Sequence, residues 1–306
     1  MAPIKRTEII EVGEIWPTID VINLKWIFGQ NYDNLLKFLA FNGLIKNKMK
    51  CPGCEDFMSL NKEEKRDGSF FSRSSLNLSK LVPLIYMWLK DFQNKNVVEE
   101  LNIESTTVVS WFNNCRNECI NLKEKIGGLN KMIVIDETCW LNQEHRKRKN
   151  GGETREELYF GCIEHGEGGQ AIMERVEDKE MSTLLKMIEK WIEPGTLIIS
   201  KDYTSYLLME KLIPQYKHVL IRSEEITNAG SSKTVELEDG TILNINTNQC
   251  MDLWIQLRQK IVRISGTSAK FSDSYMMEAL FRINAKARRE SFCNAFIKNL
   301  NKKYCL

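Results

Sequence analysis

The chain has 306 residues, 42% of them apolar, enough to bury a sizeable core and to form two domains. Its 43 Lys and Arg nearly balance 41 Asp and Glu, so net charge gives no general attraction to nucleic acid or membrane, and any such binding must come from local patches. The cysteines are scattered, the N-terminus MAPIKRTEII carries no apolar h-region, and the apolar run LVPLIYMWL (81–89) is far too short to span a bilayer, which together predict an intracellular protein with reduced thiols and no membrane partner.

Residues 1–50 read as a helical segment, with Leu35, Leu36, Phe38 and Leu39 at helical spacing before Gly43 stops the run. In KCPGC, Cys51 and Cys54 have the spacing of half a zinc site, but a closed site takes four ligands and no second pair is nearby. Cys115 and Cys119 lie one helical turn apart and suit either a metal or plain packing.

Three helical stretches follow: LSKLVPLIYMWLKDF, NVVEELNI and STTVVSWFNNCRNEC, the last with Ser105 as its N-cap. Their order and lengths fit a helix-turn-helix over residues 71–126, and equally a generic helical hairpin. In the first case the third stretch is the recognition helix. It would turn Ser105, Thr106, Thr107, Ser110 and Arg116 toward DNA and Val108, Val109 and Phe112 inward.

After GGLN (127–130) the pattern changes. KMIVIDETCW, ELYFGCIEHG and QAIMERVED read as a meander of three strands. KEMSTLLKMIEKWI is an amphipathic helix stopped by Pro194 and Gly195, and TLIISKDY is a strand, so a crossover to a parallel neighbour is expected. Helix SYLLMEKL, strand HVLIR and helix CMDLWIQLRQKIVRI complete the order βββαβαβα. That is the order of a ribonuclease H-like α/β domain with a mixed five-stranded sheet, assigned here to residues 127–306. The basic C-terminal stretch AKARRESFCNAFIKNLNKKYC reads as a closing helix near the DNA side.

The run before Asp136 in MIVIDETCW marks a strand buried on both faces, where a carboxylate needs a partner or a metal. In the ribonuclease H-like arrangement the first strand, the end of the fourth and a late helix each give one acid, and together these hold two Mg²⁺ ions for phosphodiester chemistry. Asp136, Asp202 and Asp252 stand at or near those places. Asp202 fits equally a solvated strand end or a helix N-cap, and Asp252 a charge in the first turn of a helix. The basic run HRKRKNGG, with Arg146, Lys147 and Arg148, suits a solvated hairpin, a grip on phosphate or a nuclear signal.

From about Cys51 to about Asn284 the chain resembles Merlin-type DNA transposases and their bacterial insertion-sequence relatives. The blocks RDGSFF, SLNLSKLVPLIYMW, TTVVSWFNNCRNEC, IDET, YFGCIE, PGTLIIS, NTNQCMDLW and YMMEALFR stand in family order. The resemblance implies a zinc ribbon (51–70) and helix-turn-helix that recognise terminal inverted repeats in double-stranded DNA, acting as a homodimer. It further implies a catalytic domain that cuts and joins DNA with Mg²⁺ or Mn²⁺, and a nuclear location in a eukaryotic host. Asp136, Asp202 and Asp252 would hold the metal, with Glu137, Asn248, Arg258 and Lys201 supporting.

The chain departs from the family at several points. The second cysteine knuckle is missing between Glu64 and Arg66, which leaves Cys51 and Cys54 as a remnant. Lys201 occupies the place of the fourth-strand acid, and Met251 that of the helix acid, with Asp202 and Asp252 each one residue late. One residue reverses the face of a strand and turns a helix by about 100°. Two readings follow: a Mg-dependent transposase, or an inactive DNA-binding protein on a transposase scaffold.

Overall fold

The computed structural model describes residues 9–10, 13–48, 53, 66–72, 74–119, 124–141, 156–201, 206, 208–221, 226–227, 230–236, 242–246, 248–262 and 272–304. Two units divide the chain: Met1–Asn121 with Glu290–Leu306, and Leu122–Arg289.

Helices α1 (Leu24–Phe28), α2 (Tyr32–Phe41), α3 (Leu78–Leu89), α4 (Asn94–Leu101) and α5 (Ser105–Glu118) build the first unit. Asn23, Asn31 and Asn77 cap the first three, each side chain accepting from an amide of the opening turn, which satisfies donors that helix geometry leaves open. Helices α3, α4 and α5 pack on one another, and Asn102 turns the chain between the last two in a left-handed conformation that Asn tolerates. Ser105 is the first helical residue of α5, and Glu104 holds the cap position without a side-chain bond, so the expected Ser105 cap is displaced by one residue.

The second unit is a mixed sheet with helices on both faces. Its elements in chain order are β1 (Ile126–Gly127), β2 (Met132–Leu141), β3 (Glu156–Glu164), β4 (Ala171–Val176), α6 (Met181–Trp191), β5 (Ile192–Glu193), β6 (Leu197–Lys201), α7 (Met209–Leu212), β7 (Lys217–Ile221), β8 (Ile226–Thr227), β9 (Gly230–Glu236), β10 (Ile242–Asn246), α8 (Asn248–Val262) and α9 (Ser272–Ala287). The five-stranded sheet runs β4-β3-β2-β6-β7. Strands β2, β3 and β4 form an antiparallel meander, while β6 and β7 are parallel to β2, as the crossovers through α6 and α7 require.

Strand parity separates two cores. Ile133, Ile135 and Ile198 pack with Leu184 and Ile188 of α6 and with Tyr206 and Met209. On the opposite face Val134, Ile199 and Ile221 cluster with Cys250, and Tyr159, Ala171 and Met173 with Leu253, Trp254 and Leu257 of α8 and Met276 and Leu280 of α9. Asn284 of α9 plugs the edge strand β4: its amide donates to Ala171 O and its carbonyl accepts from Ala171 N, both at 2.8 Å.

Three features depart from the sequence reading. Strands β8, β9 and β10 form a separate antiparallel sheet between β7 and α8, where no strands were expected. Helix α8 begins two residues before the expected Cys250. The single closing helix is two, α9 and α10 (Phe292–Tyr304), broken where Arg289 adopts φ +56°, and α10 belongs to the first unit rather than to a domain running to residue 306. The reason lies in Glu118, a buried carboxylate of α5 that must be paired. Lys303 Nζ reaches it at 2.8 Å, Tyr304 donates its hydroxyl at 3.0 Å, and Phe292 and Phe296 pack on Trp88.

Candidate active site

Asp136 lies on β2, the central strand of the five-stranded sheet, opposite Gly161 of β3. It shares its face with Val134 and Thr138 by the two-residue period of a strand, and that face is covered by α8. Lys201, the last residue of β6, lies two residues beyond Ile199 and therefore on the same face.

The consequence is a direct ion pair. Lys201 Nζ sits 3.3 Å from Asp136 Oδ2, with side chains 36% and 14% exposed. Trp254 Nε1 donates to the same oxygen at 3.1 Å, and the Lys201 ammonium is 3.5 Å from the thioether sulfur of Met251. One turn before Trp254, Cys250 approaches the Val134 carbonyl at 3.4 Å, and burial pushes its thiol pKa up, which keeps it neutral. Further along α8, Arg258 donates to Thr138 Oγ1 at 3.2 Å.

Gly161 makes this packing possible. A Cβ there would stand 2.2 Å from Cη2 of Trp254, so only glycine lets the indole lie across β3 and bring its N–H to Asp136.

Glu137 points to the other face, where Tyr206 donates its hydroxyl to the carboxylate. Burial is the main cause of its raised pKa, opposed by the Tyr206 hydrogen bond. On the same face Ser200 Oγ lies 2.9 Å from Nε2 of His218, whose pKa burial depresses to about 4.

The structure thus brings together Asp136, Lys201 and Arg258 of the expected site. Asp252 is exposed on α8, one residue beyond Met251, and Asn248 begins that helix. Asp202 lies outside the described residues, as do Cys51, Cys54, Arg146, Lys147 and Arg148. On α5, Ser105, Thr106 and Ser110 are exposed and Thr107 is half-buried. Arg116 is 2% exposed and its guanidinium packs inside the helical unit, which removes it from the surface expected to meet DNA. Cys115 and Cys119 are both buried in packing positions.

The sequence reading passed over Trp254 and Gly161. A signal existed in the buried-strand pattern of YFGCI, where an interior glycine marks a close approach by something large.

The order, directions and helical cover of this sheet fit the ribonuclease H-like domain of a DDE transposase. Residues 128–284 match the ISXO2-like transposase domain, just over half of the chain, and the chain belongs to that family. Comparison with curated proteins gave no match.

Transposases of this class generally work with Mg²⁺ or Mn²⁺, hard cations held by carboxylate oxygens together with water and substrate phosphate. The described residues do not fit such an ion. Among them no three His, Cys, Asp or Glu side chains come together as ligands, and Asp136 already carries an ammonium and an indole N–H. At an effective dielectric of about 20, a divalent ion about 4 Å from that ammonium would be repelled by roughly 8 kcal/mol, so the two compete for one carboxylate.

Proposed function

We propose that this protein is a DNA-binding member of its transposase family that holds transposon-end DNA without two-metal strand cleavage. The observation that carries the reading is the Lys201 ammonium on Asp136, in the place where a metal-bridging acid would be needed. Met251 beside it is a second position where an acid is replaced, here by a thioether that is a poor ligand for a hard cation.

DNA engagement rests on family membership and on α4 and α5, read as a helix-turn-helix whose α5 presents Ser105, Thr106 and Ser110 to solvent. The binding partner is double-stranded DNA carrying terminal inverted repeats of the Merlin type, and the working form is a homodimer with one copy on each end. In a eukaryotic host such a protein works in the nucleus. Among the described residues no helix is long and apolar enough to cross a membrane.

The test is a cleavage and strand-transfer assay on flanking terminal repeats with Mg²⁺ or Mn²⁺, comparing the native protein with Asp136→Ala. The expected result is no cutting by either, with DNA binding retained in both. Metal-dependent cutting by the native protein, abolished by Asp136→Ala, would sink the reading and restore an active transposase with Asp136, Asp202 and Asp252 as ligands.

A further inference from the structure

Resting on that reading, the geometry points to the α8-covered face of the sheet at Asp136 as a surface that binds a DNA phosphate directly, through its own cations and with no divalent ion. The cluster on this face is Asp136, Lys201, Arg258 and Thr138, with Asp252 exposed nearby on α8. Asp136 directs one oxygen to two donors, Lys201 and Trp254, so its charge is engaged within the protein. An ammonium carries three donors, and the Lys201 side chain is 36% exposed, so it remains reachable by a further acceptor.

Arg258 supplies a second cation. It follows Met251 by seven residues, which returns it to the same stripe of α8, and the residue is exposed while one guanidinium nitrogen is anchored on Thr138, two residues along β2 from Asp136. Asp136 is already engaged by two donors, so an incoming phosphodiester meets the N–H donors of Lys201 and Arg258, while Mg²⁺ meets an ammonium where a ligand acid would stand. Lys in place of an acid changes how this face takes its ligand: where an acid site takes phosphate through a metal, this one takes phosphate through an ammonium and a guanidinium.

The experiment measures affinity of the full chain for a short mixed-sequence duplex by fluorescence anisotropy across a salt series, in EDTA and in Mg²⁺, with the same complexes run on a denaturing gel. Affinity in EDTA should equal or exceed that in Mg²⁺, which competes for the phosphates, and Lys201→Met should lower the slope of log affinity against log salt by about one. Lys201→Arg should restore the slope, and Arg258→Met should repeat the loss. Each variant's thermal melt is compared with the native one, and the Lys201→Arg protein keeps the test open if Lys201→Met fails to fold.

An affinity that falls about tenfold in EDTA, or a slope unchanged in a folded Lys201→Met protein that still binds, overturns this inference and leaves the loss-of-cleavage reading standing. Cut strands on the gel overturn that reading instead. No binding of the duplex overturns both.

Discussion

Gly161→Ala is the sharpest probe of how the site is built. The added methyl would lie 2.2 Å from Cη2 and 2.5 Å from Cζ2 of Trp254, against the 3.5–4.0 Å that carbon atoms require, so the ring must move by more than about 1 Å. Trp254 is buried among Leu253, Leu257 and Tyr159, and overpacking at such a place costs about 1–3 kcal/mol. The moving indole also withdraws its N–H from Asp136, a bond to a charged acceptor worth about 1.5–3 kcal/mol. Alanine's lower backbone entropy cost in a strand returns about 0.5–1 kcal/mol. The net loss is about 3 kcal/mol, which at a urea slope of about 2 kcal/mol/M lowers the unfolding midpoint by about 1.5 M. Urea titration followed by circular dichroism measures it, and the control is the same change in a Trp254→Ala background, where the space exists and the cost should drop below about 0.5 kcal/mol. A Gly161→Ala protein within about 0.5 kcal/mol of native with Trp254 in place would refute the close-approach argument.

Asn284→Ala leaves both backbone groups of Ala171 without their partners, and should cost about 2–4 kcal/mol in the same titration. Lys303→Met strips the exposed cation from the buried Glu118, and loss of about 1–2 kcal/mol from the helical unit is expected, read as a lower melting temperature. His218 and Glu137 make opposed contributions to the pH dependence of stability. His218 has a folded pKa of about 4, below its ordinary 6.5, so the unfolded chain binds more protons between these values. Its contribution of about 3 kcal/mol is present above pH 6.5 and is lost as pH falls toward 4, so His218→Gln should flatten the acid limb of the profile. Glu137 has a raised folded pKa, so the native state holds its proton more tightly and stability from it is lost as pH rises through that value. Glu137→Gln should therefore steepen the net acid loss, and urea midpoints between pH 4 and 7 that move the other way would contradict both assignments.

Much of the fold was legible because burial writes a period into the chain. MIVIDET, YFGCI and LIISK are apolar on both faces, as central strands covered by helices must be, and their order with the helices between them determines the meander and the parallel crossovers. The β8–β9–β10 sheet was missed although KTVELEDGTILNIN alternates polar and apolar residues around an Asp-Gly pair, a pattern that the neighbouring helix signal overshadowed. The closing helix was misassigned because amphipathicity says that one face is buried, and is silent about which partner buries it.

The same division holds at the site. Sequence alone placed Asp136 in a buried strand and, through the family resemblance together with the alternation of a strand, led to the expectation that Lys201 falls on the face of a metal-bridging acid. Only the tertiary structure decided what that cation does there. A strand period gives a direction without a distance, whereas the 3.3 Å pairing with Asp136, the indole of Trp254 on the same oxygen and the space left by Gly161 depend on the packing of α8 over β2 and β3, between residues far apart in the chain.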